Sequence, residues 1–288
     1  MNIKYIATVL TILLLASSIP AAVYTWDNGG STDRFSNIGN WDPTAPIGGP
    51  QSGDTGTVGG SYRVEVGTST ELTTGAAITF SDSSTLERNN TSLANMSGTF
   101  IFQNISSMYF SDLRLLSGGT LNWNSTGTFS NAPGLSPGEM FDNEAGSTVN
   151  MSAGLWTLDG GTTDAIDING TFNMSGGKME IADRMRIDGT FNLSGGELFV
   201  ADEYITGTLD FLGTDGTFYH AGHDFSFGGR TDGNLKIDGI AQSNLTGFNV
   251  ENVNVGGIDY TKFTVVPEPA TIGMLALGAV ISFLIRKR

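Results

Sequence analysis

Cysteine is absent from the 288-residue chain, so it has neither a disulfide framework nor thiolate chemistry. Charge is sparse as well: Asp, Glu, Lys and Arg make up 15% of the residues, with 14 basic residues against 29 acidic ones. The formal net charge of −15 argues against a nucleic-acid-binding role, because an acidic body repels phosphate and other anionic polymers unless cations bridge them. Lys4, Arg286, Lys287 and Arg288 sit at the two ends, so the central body is more acidic still. Histidine occurs twice, and lysine-rich, helix-favouring runs are missing. What is abundant is glycine, 40 residues of it, with Ser, Thr and Asn; this composition points to an all-β protein.

Hydrophobic segments are confined to the ends. Lys4 supplies a positive start, Ile6 to Leu15 an apolar run too short to span a bilayer comfortably, and Ala21-Ala22 the small residues of a cleavage site. Residues 1–22 therefore read as a cleaved export signal. At the other end Pro267-Glu268-Pro269 precedes an uncharged run from Ala270 to Ile285, then Arg286-Lys287-Arg288. That run of about 16 residues is just long enough to enter a membrane as a helix with little tilt, and the three cations act as a stop on the cytoplasmic side. An ordinary C-terminal anchor, with prolines that merely break the chain before a helix, is the plainer alternative.

The triplet, the apolar run and the basic end, in that order, resemble the PEP-CTERM sorting signal of Gram-negative bacteria. The resemblance covers residues 266–288. It implies processing near Pro267-Glu268-Pro269 by an exosortase, a membrane-embedded sorting protease, with signal peptidase acting at the other end. It also implies delivery to the cell surface or the exopolysaccharide matrix. It implies nothing about what the body does.

Between the ends the chain repeats itself. Ile168-Asn169-Gly170-Thr171-Phe172-Asn173-Met174-Ser175-Gly176-Gly177 returns after 19 residues as Ile187-Asp188-Gly189-Thr190-Phe191-Asn192-Leu193-Ser194-Gly195-Gly196. Ile205-Thr206-Gly207-Thr208-Leu209 opens another unit, and looser relatives begin at Gly98, Gly119 and Ser147. Asn234-Leu235-Lys236-Ile237 and Asn252-Val253-Asn254-Val255 carry short alternating strands further. Alternation puts Phe172 and Met174 on one face and Thr171 and Asn173 on the other. A unit this small cannot bury its own apolar face, but stacked units can, with Phe172 on Phe191, Met174 on Leu193 and Ile181 on Val200. The expected fold is a parallel β-helix (solenoid) of roughly ten coils over residues 67–265, with residues 23–66 as an N-terminal cap. An antiparallel β-sandwich is the alternative, since Gly-Gly turns also close hairpins.

Tyr24-Thr25-Trp26-Asp27-Asn28-Gly29-Gly30, Asn40-Trp41-Asp42 and Gly53-Asp54-Thr55 resemble the opening of repetitive surface proteins and autotransporter-like passengers, which implies a β-helix and no activity. Trp26 and Trp41 would pack over the first open coil; as aromatic faces they would also suit stacking on a pyranose ring.

Candidates for chemistry are few. His220, His223 and Asp224 are a metal-ligand trio by residue type, but their spacing fixes no coordination geometry, and a loop or corner explains them. Asp164 with Asp167, and Asp202 with Glu203, are acid–base candidates of a kind that 29 carboxylates produce by chance. The Gly-His-Gly and Arg-x-Lys types of signature associated with β-helix polysaccharide hydrolases and lyases are missing, so no catalytic residue is assigned. Asp159-Gly160-Gly161, Asp215-Gly216 and Asp232-Gly233-Asn234 suit loose Ca²⁺ association and lack the spacing of a defined site. Asn-x-Ser/Thr triplets at Asn104, Asn150, Asn169, Asn173 and Asn192 match a glycosylation acceptor, although asparagine ladders at inward or corner positions account for them equally. The expected function is that of an exported, non-enzymatic surface or matrix protein associated with polysaccharide; a secreted β-helix carbohydrate-active enzyme is the alternative.

Overall fold

The computed structural model describes residues 21–88, 93–130, 140–159, 164–222, 234–242 and 245–267. Residues 1–20 of the expected export signal and the segment from Glu268 onward, with its expected membrane helix, lie outside the described residues. Among those described there is no α-helix, and no helix long and apolar enough to cross a membrane.

The body is a β-solenoid of about seven turns. Each turn lays down three short strands that hydrogen-bond in parallel to their equivalents in the turns before and after. The first face stacks 99–104 on 120–125, then Thr148–Met151, 171–174, 190–193 and Thr208–Phe211. The second runs through Arg63–Glu65, Thr85–Glu87, Ser107–Tyr109, Thr128–Ser130, Leu155–Leu158, 178–181 and 197–200. The third runs through 94–96, Leu113–Leu115, Phe141–Asn143, Asp164–Ile168, 184–187 and 202–205. The pairs expected from the repeat are in register: Phe172 with Phe191, Met174 with Leu193, and Ile181 with Val200.

About seven turns are complete on all three faces, where ten were expected: the first face runs on beyond them with single strands at both ends, and the coils are unequal in length. Equivalent threonines fall at Thr120, Thr148, Thr171, Thr190 and Thr208, so the step shrinks from 28 residues between the first two to 18 between the last two. The conspicuous 19-residue period belongs to one of the shortest coils. Longer corners elsewhere use up chain without adding turns.

Inward side chains fill the prism between the three sheets. Phe80 and Phe102 stack at 4.8 Å between ring centroids, Phe102 and Trp123 at 5.0 Å, and Phe172 and Phe191 at 4.9 Å with planes only 4° apart. Trp156 crosses from the second face and meets Phe129, Phe141 and Phe172 edge-on. Rings stack between several register partners of one face, while contacts between faces are edge-on, as is that of Trp156 with its own register partner Phe129.

Corners demand glycine where one coil rests on the backbone of the previous one. A Cβ on Gly189 would lie 2.2 Å from the carbonyl oxygen of Gly170, and one on Gly207 would lie 2.1 Å from that of Gly189. The paired glycines at the next corner serve a different need: Gly177 and Gly196 take φ of 79° and 81°, the left-handed region that costs other residues strain.

Both ends depart from simple stacking. Val23–Trp26 already pairs in parallel with Thr55–Val58, so coil stacking begins inside the segment expected to be only a cap. At the far end Phe248–Val255 and Ile258–Val265 form an antiparallel hairpin, and the second of these strands pairs antiparallel with Gly216–Ala221. The segment around Asn252 thus closes the stack instead of continuing it, which leaves Phe248 and Phe263 over the last coil, 6.4 Å apart.

Candidate functional site

The sorting triplet stands at the edge of the described chain. Val266 donates its backbone N–H to the carbonyl of Gly247 at 2.9 Å, which ties the exit of the chain to the closing hairpin. Pro267 follows as the last described residue; Glu268, Pro269 and the stop residues Arg286, Lys287 and Arg288 lie outside the described residues.

Trp26 and Trp41 do not form a sugar platform. Each is 2% exposed, and their rings meet edge to face at 5.1 Å. Trp41 Nε1 donates to the Phe35 carbonyl at 3.0 Å, and Phe35 closes on its ring at 5.4 Å. The rings are large, apolar and placed where the first coil would otherwise be open, so burial wins over display. Among the described aromatic residues the exposed ones are instead Tyr62 and Tyr204.

Three of the four acid–base candidates are occupied. Asp164 pairs with Arg184 on the next coil, and Asp167 lies 3.7 Å from Arg186. Asp202 faces solvent, whereas its neighbour Glu203 turns inward and sits 2.6 Å from Nδ1 of His220. His223 and Asp224, the other two members of the suggested trio, lie outside the described residues. So do Gly160, Gly161, Asp232 and Gly233; Asp159 and Asp215 are exposed. Among the described residues no group of three or more His, Cys, Asp or Glu side chains could hold a metal ion.

Sequence spacing did not reveal an ionic ladder on the third face. Stacking brings Arg114, Asp142, Asp167 and Arg186 into one outward column across four successive coils. Arg114 Nε lies 2.9 Å from Asp142 Oδ2, and Asn169 Nδ2 donates to Asp142 Oδ1 at 3.3 Å. Burial pushes the Asp142 carboxyl above the usual carboxylate range, with Arg114 pulling the other way. Burial raises Asp112 similarly, again opposed by Arg114. Asp188, at the corner beyond, is held below that range by the hydroxyl of Thr206, against some burial, and with help from Arg186 2.5 Å away. Unequal coil lengths hid this column, since its members have no common spacing in sequence.

The first face is different in kind. Thr120, Thr148, Thr171 and Thr190 form one outward column, and Asn122, Asn150, Asn173 and Asn192 another two residues along. Asn150 Nδ2 donates to Asn122 Oδ1, Asn173 to Asn150 and Asn192 to Asn173, each at 2.8 Å. The ladder therefore runs along the middle of an outer face rather than inside or at a corner; Asn104 and Asn169 take corner positions. Three of the glycosylation-type asparagines thus commit their side-chain nitrogens to neighbouring coils.

No curated protein and no solved structure matches the chain. Residues 265–288 match the family model of the PEP-CTERM protein-sorting motif. The chain is therefore a β-solenoid carrying a PEP-CTERM sorting signal, which implies export, handling by an exosortase and sorting to the cell surface.

Proposed function

We propose that the protein is a non-enzymatic component of the surface or extracellular matrix of a Gram-negative cell, a rigid acidic rod associated with exopolysaccharide. The observation that carries this reading is the sorting motif at 265–288, joined directly to a body with a regular stack of polar ladders on its outside. Residues 270–285 serve as a temporary membrane segment with Arg286, Lys287 and Arg288 held on the cytoplasmic side. The exosortase then acts near Pro267-Glu268-Pro269 and frees the rod. The exported portion works through many weak hydrogen bonds repeated along its length, a mode that needs no enclosed pocket.

The enzyme alternative requires ionisable groups that converge on a substrate with a free acid and a free base. Asp142, Asp164 and Asp188 instead face arginine partners in neighbouring strands or corners, an arrangement suited to holding coils together. Antibody labelling of intact cells, combined with incubation of the isolated full chain with exopolysaccharide, tests the reading. Surface label without release of reducing or unsaturated sugars is the expected result. Sugar release that disappears in Asp142→Asn or Asp164→Asn would establish the enzyme instead.

A further inference from the structure

We propose that the first face of the solenoid is the contact surface, and that its partner is an extended, uncharged polysaccharide; this rests on the polysaccharide-associated reading above and narrows it to one face and one chemical class. The argument starts from where charge is missing. Val23–Trp26, Thr55–Val58, 77–80, 99–104, Thr120–Ser125, Thr148–Met151, 171–174 and 190–193 are eight successive strands of this face, and none contains an Asp, Glu, Lys or Arg. Charge returns only at the end of the stack, with Asp210 and Lys236. The second face carries Arg63, Glu65, Glu87, Lys178, Glu180 and Glu197, and the third carries the Arg114–Asp142–Asp167–Arg186 column. A neutral stripe eight strands long on a chain of net charge −15 does not follow from composition.

An uncharged, hydroxyl-rich chain fits this stripe and a charged one does not. Asn150, Asn173 and Asn192 each spend one N–H on the preceding asparagine and keep a second N–H and spare acceptor capacity. Threonine adds a hydroxyl, donor and acceptor at once, beside a methyl group that suits the C–H edges of a sugar ring. Equivalent side chains recur about 4.8 Å apart along the stack, and the Thr and Asn columns run about 6.7 Å apart across it. The Asn122–Asn150–Asn173–Asn192 bonds hold the amides in place before any partner arrives, so little side-chain freedom is lost on contact. No single sugar is enclosed, so strength must come from repetition along the chain. An anionic glycan would find its negative groups unmatched here, and would be repelled by the acidic body.

The test is co-sedimentation of the isolated full chain with amorphous cellulose as the uncharged probe and with polygalacturonate gel as the anionic one. Binding to cellulose is expected to survive 1 M salt, where exposed charges are screened within about 3 Å, and soluble oligosaccharides are expected to compete better as they lengthen. Thr148→Glu with Thr190→Glu, two outward positions of this face, should weaken retention at least about tenfold. Thr128→Glu with Thr217→Glu, the same charge change on the second face and on Gly216–Ala221, which continues it by parallel pairing with 196–200, should leave it unaltered. Circular dichroism of both double variants checks that the solenoid persists, and Thr171→Val, which keeps the side-chain shape and removes one hydroxyl, should give a smaller loss in the same direction. Cellulose binding that the first-face pair leaves intact would overturn the assignment of the face while the polysaccharide reading stands. Retention on polygalacturonate alone, lost in salt, would assign contact to the charged faces and overturn it as well. Retention on neither probe would overturn both.

Discussion

Asn192 donates its side-chain amide to Asn173 at 2.8 Å, and Asn173 in turn donates to Asn150 at the same distance. Asn173 is therefore both donor and acceptor in a chain of amides that crosses coil boundaries on the outside of the rod. Asn173→Ala breaks two of these bonds at once. With each partly exposed hydrogen bond contributing about 0.5–1.5 kcal/mol, urea unfolding should show a loss of about 1–3 kcal/mol, with the slope unchanged. An unaltered midpoint would show that the ladder is decoration.

Phe172 should matter more. It is fully buried between Phe191, stacked at 4.9 Å, and Trp156, edge-on at 5.4 Å. Phe172→Ala leaves a void that parallel coils cannot close without moving two sheets, and a loss of about 3–5 kcal/mol is expected in the same unfolding experiment.

Gly189→Ala tests the corner. The added methyl would lie 2.2 Å from the Gly170 carbonyl oxygen, a backbone atom that cannot swing aside. Overpacking of this kind costs about 1–3 kcal/mol, so the melting midpoint should fall. Gly213→Ala is a useful contrast. Its Cβ would meet nothing within 4 Å, and only its φ of 79° opposes the change.

Much of this was legible in the chain. Alternation around Phe172 and the copy at Phe191 fixed the stacking register, because a solenoid places like residues on like residues. Four first-face strands, at 120–123, 148–151, 171–174 and 190–193, share the pattern Thr-apolar-Asn-apolar, so inner and outer faces were readable there as well. The number of turns was not, since Thr120 and Thr148 are 28 residues apart while Thr190 and Thr208 are 18 apart, and corner length leaves no periodic trace. The Arg114–Asp142 pair was hidden for the same reason. Trp26 and Trp41 were ambiguous because an aromatic ring suits a core and a sugar equally. Only the packing of Phe35 against Trp41 decides between them. The closing hairpin escaped because alternating short strands look alike whether they pair parallel or antiparallel.

Acid should act on the two kinds of aspartate in opposite senses. Asp188 has a depressed carboxyl in the folded protein, so its stabilisation is complete above the ordinary carboxylate range and is lost as pH falls through the folded value. Asp142 is raised by burial, so its ionised form opposes folding above the folded value and protonation relieves that opposition. Carboxyl NMR titration should place Asp142 above the usual range and Asp188 below it. Thr206→Val should move Asp188 upward and leave Asp142 in place; movement of both, or of neither, would contradict the assigned causes.

The sorting signal offers the most direct test of the whole account. Full-length chain and a variant with Pro267, Glu268 and Pro269 all replaced by alanine would be expressed in a cell that carries an exosortase, then followed by fractionation into inner membrane, outer surface and medium. The account predicts that the unaltered chain reaches the surface while the variant accumulates, uncut, in the inner membrane. Equal surface delivery of both would contradict it.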